Sequence, residues 1–157
     1  MKKKILITRR LLKENEDKLK ELFDVKLNDN DEIYSPDKII ELSKNFDGIL
    51  CAVTDQFNKE LINRLSPSIK IIANFAVGYG NIDINVAKER GIVVTNTPEV
   101  LDDSTADISI LLLLGASRKV LEARRAAELQ NWKWSADFML GKQMSNKRLG
   151  ILGMGRI

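Results

Sequence analysis

From residue 5 to residue 95 the chain keeps returning to one pattern. A short apolar run is followed by a stretch with apolar residues at helical spacing, and then by another short run. Ile5 to Thr8, Val25 to Leu27, Ile49 to Val53, Ile69 to Phe75 and Ile92 to Thr95 are the predicted strands. Between them, Leu11 to Phe23 carries Leu11, Leu12, Leu19, Leu22 and Phe23 on one helical face. Ser35-Pro36-Asp37 is a helix start, with a hydroxyl cap, a proline at the first helical position and an acidic first turn. That helix is expected to reach Phe46. Asn58 caps a shorter helix to Leu65, and Ile84 to Arg90 makes another that closes at Gly91. Strands without polar alternation, each separated by a helix, predict a parallel sheet covered on both sides. Residues 1–97 are thus expected to form one open α/β domain of flavodoxin-like kind.

Past Pro98 the pattern changes. Asp103 or Ser104 is positioned to cap a long helix over about 104–129. Its early part, Ile108 to Leu114, is apolar nearly all round and is expected to be buried on more than one side. Arg118 to Glu128 is charged and faces water or a partner. An irregular segment with two tryptophans leads to a further apolar run, predicted as a strand over about 148–153.

Composition narrows the function. Twenty-five basic residues against 22 acidic ones leave a net charge of +3, without the broad positive field that tracks nucleic acid. The run Lys2 to Lys4 is a solvated flank before the first strand rather than a membrane or nucleic-acid anchor. No apolar stretch approaches the roughly 20 residues needed to cross a bilayer. Cys51, the single cysteine, lies in an apolar run and suits buried filler in a reducing compartment, so a cytoplasmic location is expected. No histidine is present, which removes the side chain best matched to proton transfer near neutral pH. Nothing in the sequence has the spacing of a metal site.

Four features suggest chemistry. Gly153-Met-Gly155 follows the apolar run from Leu149 and supplies the first two glycines of G-x-G-x-x-G, a pattern that holds a dinucleotide pyrophosphate; a plain strand-ending turn is an equal alternative. Its third glycine would fall at position 158, one beyond Ile157. The loop Phe75 to Gly80 follows a predicted strand, and its small residues expose backbone N–H groups to a carboxylate or simply turn the chain. Thr105 and Asp107 lie in the first turn of the long helix, where capping and dipole compensation already account for an aspartate. Trp132 and Trp134 suit core packing or an intersubunit anchor.

Taken together these segments resemble the D-2-hydroxyacid dehydrogenases. Ala73 to Asp83 (ANFAVGYGNID), Gly91 to Val100 (GIVVTNTPEV), Thr105-Ala-Asp107 and Leu149 to Ile157 (LGILGMGRI) match four of that family's motifs in order. Asn74-Phe75, Trp134 and Phe138 to Gly141 look most like its glyoxylate and hydroxypyruvate reductases. The resemblance implies a substrate-binding domain over 1–97 and the start of an NAD(P)-binding Rossmann domain over 98–157. It implies that the backbone of Val77 and Gly78 holds the substrate carboxylate, that Val53 lines the same site, and that Trp134 reaches a neighbouring subunit's active site. Thr105, Gly153, Gly155, Arg156 and Ile157 would contact NAD or NADP, and the long helix with the segment after it would form a homodimer. The family's catalytic Arg, Glu and His would lie beyond residue 157, so these residues alone are expected to be inactive and to hold cofactor weakly or not at all. Gly80 departs from the family's Asp or Asn and is expected to loosen the loop. The alternatives are a phosphoglycerate dehydrogenase of the same family and a non-catalytic module for dimerisation or small-carboxylate binding.

Overall fold

The computed structural model describes residues 1–130 and 132–157. It divides into two compact units, Met1–Pro98 and Glu99–Ile157.

The first unit holds five strands, β1 (Lys4–Ile7), β2 (Asp24–Lys26), β3 (Gly48–Ala52), β4 (Ile71–Phe75) and β5 (Val93–Thr95). Helices α1 (Lys13–Leu22), α2 (Pro36–Ser43), α3 (Lys59–Arg64) and α4 (Ile84–Glu89) alternate with them. All pairs are parallel and the order is β2-β1-β3-β4-β5, the doubly wound arrangement of flavodoxin-like domains. The helix starts are local chemistry. Ser35 Oγ accepts from the Lys38 amide, Asn58 Oδ1 from Leu61, and Asp83 Oδ1 from Val86. Gly91 ends α4 at φ +64°, where an L side chain would be strained. Arg90 closes the other end of α3, donating to the carbonyls of Ile62, Asn63 and Leu65 at 2.6–2.9 Å.

The expected cover on both sheet faces is only half realised. Register places Leu6, Ile49, Ile72, Cys51 and Asn74 on one face, where α2, α3 and α4 seal them into a core with Ile39, Phe57, Leu61, Ile62 and Val86. The opposite face meets α1, which has no fully buried residue, and Phe75 and Val93 lie open to solvent. The sequence pattern is apolar on both faces, but within the first unit only α1 packs on the second one.

In the second unit the single helix expected over about 104–129 is two: α5 (Asp102–Ser117) and α6 (Val120–Leu129). The break falls at Lys119, which takes a left-handed φ of 54°. The Lys142 amide donates to the Ser117 carbonyl at 2.7 Å and so satisfies the end of α5. Gly141 permits that approach, since a Cβ there would lie 2.7 Å from the same carbonyl. Ahead of α5, Leu101 holds the cap position rather than Asp103 or Ser104. The expected burial of Ile108 to Leu114 is not met within the second unit, where Leu112 is 66% exposed. The strand expected over about 148–153 does not form either. A strand needs a neighbour to accept its backbone hydrogen bonds, and no described residue pairs with this run. Among the described residues no helix is long and apolar enough to cross a membrane.

Candidate functional site: the loops after β3 and β4

Open α/β sheets receive ligands at the carboxyl ends of their strands. In the first unit those ends present Thr8 and Arg9 after β1, Val53 to Asp55 after β3, and Ala76 to Asn81 after β4. Because β3 and β4 are neighbours with Ala52 opposite Phe75, Val53 and the Val77–Gly78 segment leave the sheet side by side. Of the residues proposed from sequence, these three are therefore brought to one edge. Val53 is 60% exposed there and makes no demand on the core.

The two loops are stitched to each other. Phe57 and Ile82 form a parallel bridge, with the Phe57 amide donating to Asn81 and the Asp83 amide to Phe57 at 2.8 and 2.9 Å. Beneath it lies a web of buried polar side chains. Asn81, 8% exposed, donates through Nδ2 to the carbonyls of Ala52 at 3.3 Å and Asp55 at 3.0 Å. Asn74, 2% exposed, donates to Asn81 Oδ1 and to the Gly78 carbonyl, both at 3.0 Å. The Asp55 carboxylate, in a residue 4% exposed, accepts from Thr8 Oγ1 at 2.7 Å and from the Ala52 amide at 2.9 Å. Among the described residues no buried side-chain N or O atom lacks a partner. A fully satisfied web of this kind rigidifies what it touches.

A second anchor joins β1 to this edge. Arg9 grips Asp31 through two parallel bonds of 2.8 and 2.9 Å and donates to Thr54 Oγ1 at 2.8 Å. The Asp31 carboxyl is held well below the usual carboxylate range, first by the Arg9 hydrogen bond and then by the Arg10 amide. Cys51 points into the core beside Asn74, and burial pushes its thiol up to about 12, which makes it inert filler rather than a nucleophile.

The backbone of the β4 loop is held from one side and free on the other. The carbonyls of Ala76, Val77 and Gly78 accept from the Thr97 amide at 2.9 Å, Asn96 Nδ2 at 2.6 Å and Asn74 Nδ2 at 3.0 Å. Among the described residues no acceptor takes the N–H groups of Val77, Gly78 or Tyr79. A Cβ built on Gly78 or Gly80 would meet nothing within 4 Å, and neither glycine has a positive φ. The fold does not require glycine at either position; its absence of a side chain leaves backbone approachable. Around Gly80 the Ile82 amide closes the turn onto Tyr79 at 3.0 Å, and Asn81 ties it to the β3 loop.

The remaining sequence candidates lie in the second unit and are not assembled into a site. Thr105 sits in the first turn of α5, and Trp134 is 81% exposed in the segment after α6. Gly153 has φ +92°, suited to a tight turn, and Gly155 is open. Arg156 pairs with Glu99 at 2.5 Å, and Ile157 is exposed. These residues fit a dinucleotide only as one turn of its cradle.

Sequence reasoning singled out the exposed loop and missed what holds it. Thr8, Asp55, Asn81 and Asn96 carry no periodic signal, and their partners lie up to 47 residues away.

Comparison with known proteins gives the chain a family. A profile described as D-isomer specific 2-hydroxyacid dehydrogenase, catalytic domain, matches residues 5–146. A glyoxylate reductase of Korarchaeum cryptofilum is 40% identical over 159 residues, covering 100% of this chain and 48% of that protein. A Polaromonas sp. JS6 66 structure, provisionally described as an NAD-binding D-isomer specific 2-hydroxyacid dehydrogenase, superposes with a TM-score of 0.89 at 35% identity, over 99% of this chain and 49% of that one. An NADPH-dependent glyoxylate/hydroxypyruvate reductase of Sinorhizobium meliloti, solved with NADP and malonate, gives a TM-score of 0.80 at 28% identity, over 99% and 47%. The chain spans about half the length of the curated relatives it matches.

Proposed function

This chain belongs to the D-isomer specific 2-hydroxyacid dehydrogenase family, and from that premise we propose that it supplies the substrate-carboxylate loop of an NAD(P)-dependent reductase of small 2-oxoacids, glyoxylate or hydroxypyruvate among them. The observation that carries this reading is the free N–H edge of Val77, Gly78 and Tyr79, beside exposed Val53 at the carboxyl ends of β3 and β4. Consecutive unpaired amides stabilise an anion, and a carboxylate is the anion every 2-oxoacid carries. Reduction moves a hydride from the nicotinamide to the carbonyl carbon and a proton to its oxygen. The first of these belongs to the cofactor. For the second, these 157 residues contain no histidine, and none of the carboxyls gathered at this edge is placed as an acid.

The part played here is therefore binding and orientation. Thr105, Gly153, Gly155, Arg156 and Ile157 are proposed to contribute one turn of the cofactor site, and Trp134 to reach the substrate site of a second copy. The open leucines of α5 support a homodimer through α5, α6 and the segment after them. The buried, inert thiol of Cys51 suits a cytoplasmic setting.

Two measurements test this. Calorimetric titration of oxalate, an unreactive dicarboxylate, is expected to show saturable binding, and its absence would overturn the carboxylate reading. The 157-residue polypeptide supplied with glyoxylate and NADH is expected to give no turnover; saturable oxidation of NADH would refute the assignment of binding alone. Oxalate binding without turnover also suits a non-catalytic carboxylate-binding module, a reading favoured by the compact first unit that carries the loop.

A further inference from the structure

Two polar groups of the Asn96-Thr97-Pro98 segment end on the β4 loop. The peptide bonds of this loop are trans, so the N–H of each residue points opposite to the carbonyl of the residue before it. Fixing a carbonyl therefore aims the next amide. The Thr97 amide holds the Ala76 carbonyl and so turns the Val77 N–H outward. Asn96 Nδ2 holds the Val77 carbonyl and aims Gly78. Asn74 Nδ2 holds the Gly78 carbonyl and aims Tyr79. Val77, Gly78 and Tyr79 each follow a carbonyl tethered from outside the loop turn, and their N–H groups have no protein acceptor; the Gly80 and Asn81 N–H groups beyond them also have none among the described residues.

We propose that Asn96 and Asn74 are positioning residues, a two-sided clamp that presets the Gly78 and Tyr79 amides for a substrate carboxylate. This rests on the carboxylate reading above and adds to it the device that aims the loop. Without the clamp, Gly78 is sterically free to let its flanking peptide planes rotate, because no neighbouring atom would touch even a Cβ there. A donor on each carbonyl removes that freedom before the ligand arrives, and polarises the peptide so that its N–H donates more strongly. Asn74 is itself fixed, since its Oδ1 accepts from Asn81 Nδ2 at 3.3 Å and from the Cys51 thiol at 3.5 Å. The clamp therefore stands on the same buried web that joins the β3 and β4 loops.

The test is an oxalate titration of the 15N-labelled 157-residue chain, followed at the Val77, Gly78 and Tyr79 amides. In the unsubstituted chain all three resonances are expected to move to saturation. Asn96→Leu keeps the volume and removes the donor; it is expected to weaken oxalate binding by about five- to tenfold, the worth of roughly one hydrogen bond, with the Gly78 response reduced most. Asn96→Gln keeps an amide donor and is expected to recover most of that loss. Asn74→Ala is expected to reduce the Tyr79 response instead; if it unfolds, the Asn96 pair carries the test. Unchanged affinity and Gly78 shift in Asn96→Leu would overturn the clamp and leave the carboxylate reading standing. Equal loss in Asn96→Leu and Asn96→Gln would overturn the role of the donor. No saturable response in the unsubstituted chain would overturn both readings.

Discussion

Asn81 donates through Nδ2 to the carbonyl of Asp55 at 3.0 Å, and this bond ties the loop after β4 to the loop after β3 beneath the proposed carboxylate site. The same nitrogen reaches the Ala52 carbonyl and Asn74 Oδ1, both at 3.3 Å. Replacing Asn81 by Ala strands buried acceptors on both loops. The expected loss of stability is about 1–3 kcal/mol, read as a lower urea midpoint at unchanged slope. A midpoint equal to that of the parent chain would show that water replaces Asn81 without cost.

Two glycines separate ligand approach from backbone strain. Gly78→Ala places a methyl group where nothing lies within 4 Å and no positive φ is imposed. It is expected to leave stability unchanged or raise it by up to about 1 kcal/mol, while weakening oxalate binding by obstructing the amides. Gly91→Ala must adopt φ +64° and is expected to cost about 1 kcal/mol without touching that binding. Paired urea melts and oxalate titrations check both; a Gly78→Ala chain that binds normally would remove the loop's glycine from the site.

The Arg9–Asp31 pair predicts an acid response of definite sign. Asp31 has its carboxyl lowered in the folded state, chiefly by the Arg9 hydrogen bond. Its contribution is therefore fully present above the unfolded value of about 3.9 and is lost as pH falls below it toward the folded value. Arg9→Gln is expected to lower stability at pH 7 and to flatten the dependence between about pH 5 and pH 2. Urea midpoints across that range measure it, and parallel curves for the two proteins would assign the acid response elsewhere.

Cys51 is expected to be a reporter of opening rather than a reactive group. Burial, with Asp55 second, pushes its thiol up to about 12, against about 8.5 for a free cysteine. At pH 8 a disulfide reagent should label it only as fast as the first unit unfolds, with the rate rising in urea. Immediate stoichiometric labelling of the native chain would contradict this placement.

The local chemistry of the first unit was legible in its residues. Ser35, Asn58 and Gly91 stand where the spacing predicts helix ends, because a cap or a left-handed turn involves neighbours only a few residues apart. The five strands follow from runs such as Ile49 to Val53 for the same reason: a side-chain period is a local property. The loop of Val77 and Gly78 was legible too, since its place follows from the strand before it.

What the tertiary structure alone decided is whatever depends on distant partners. Leu149 to Gly153 has the composition of a strand but makes none, because pairing is a property of two segments. The helix break at Lys119 depends on Lys142 and Gly141 approaching Ser117. The groups that hold the β4 loop come from Asn74, Asn81, Asn96 and Thr97, polar residues that look alike in sequence whether they face water or a buried carbonyl. The residues determine that an exposed glycine loop ends β4; only the folded chain, by placing donors on three successive carbonyls, decides which way its amides point.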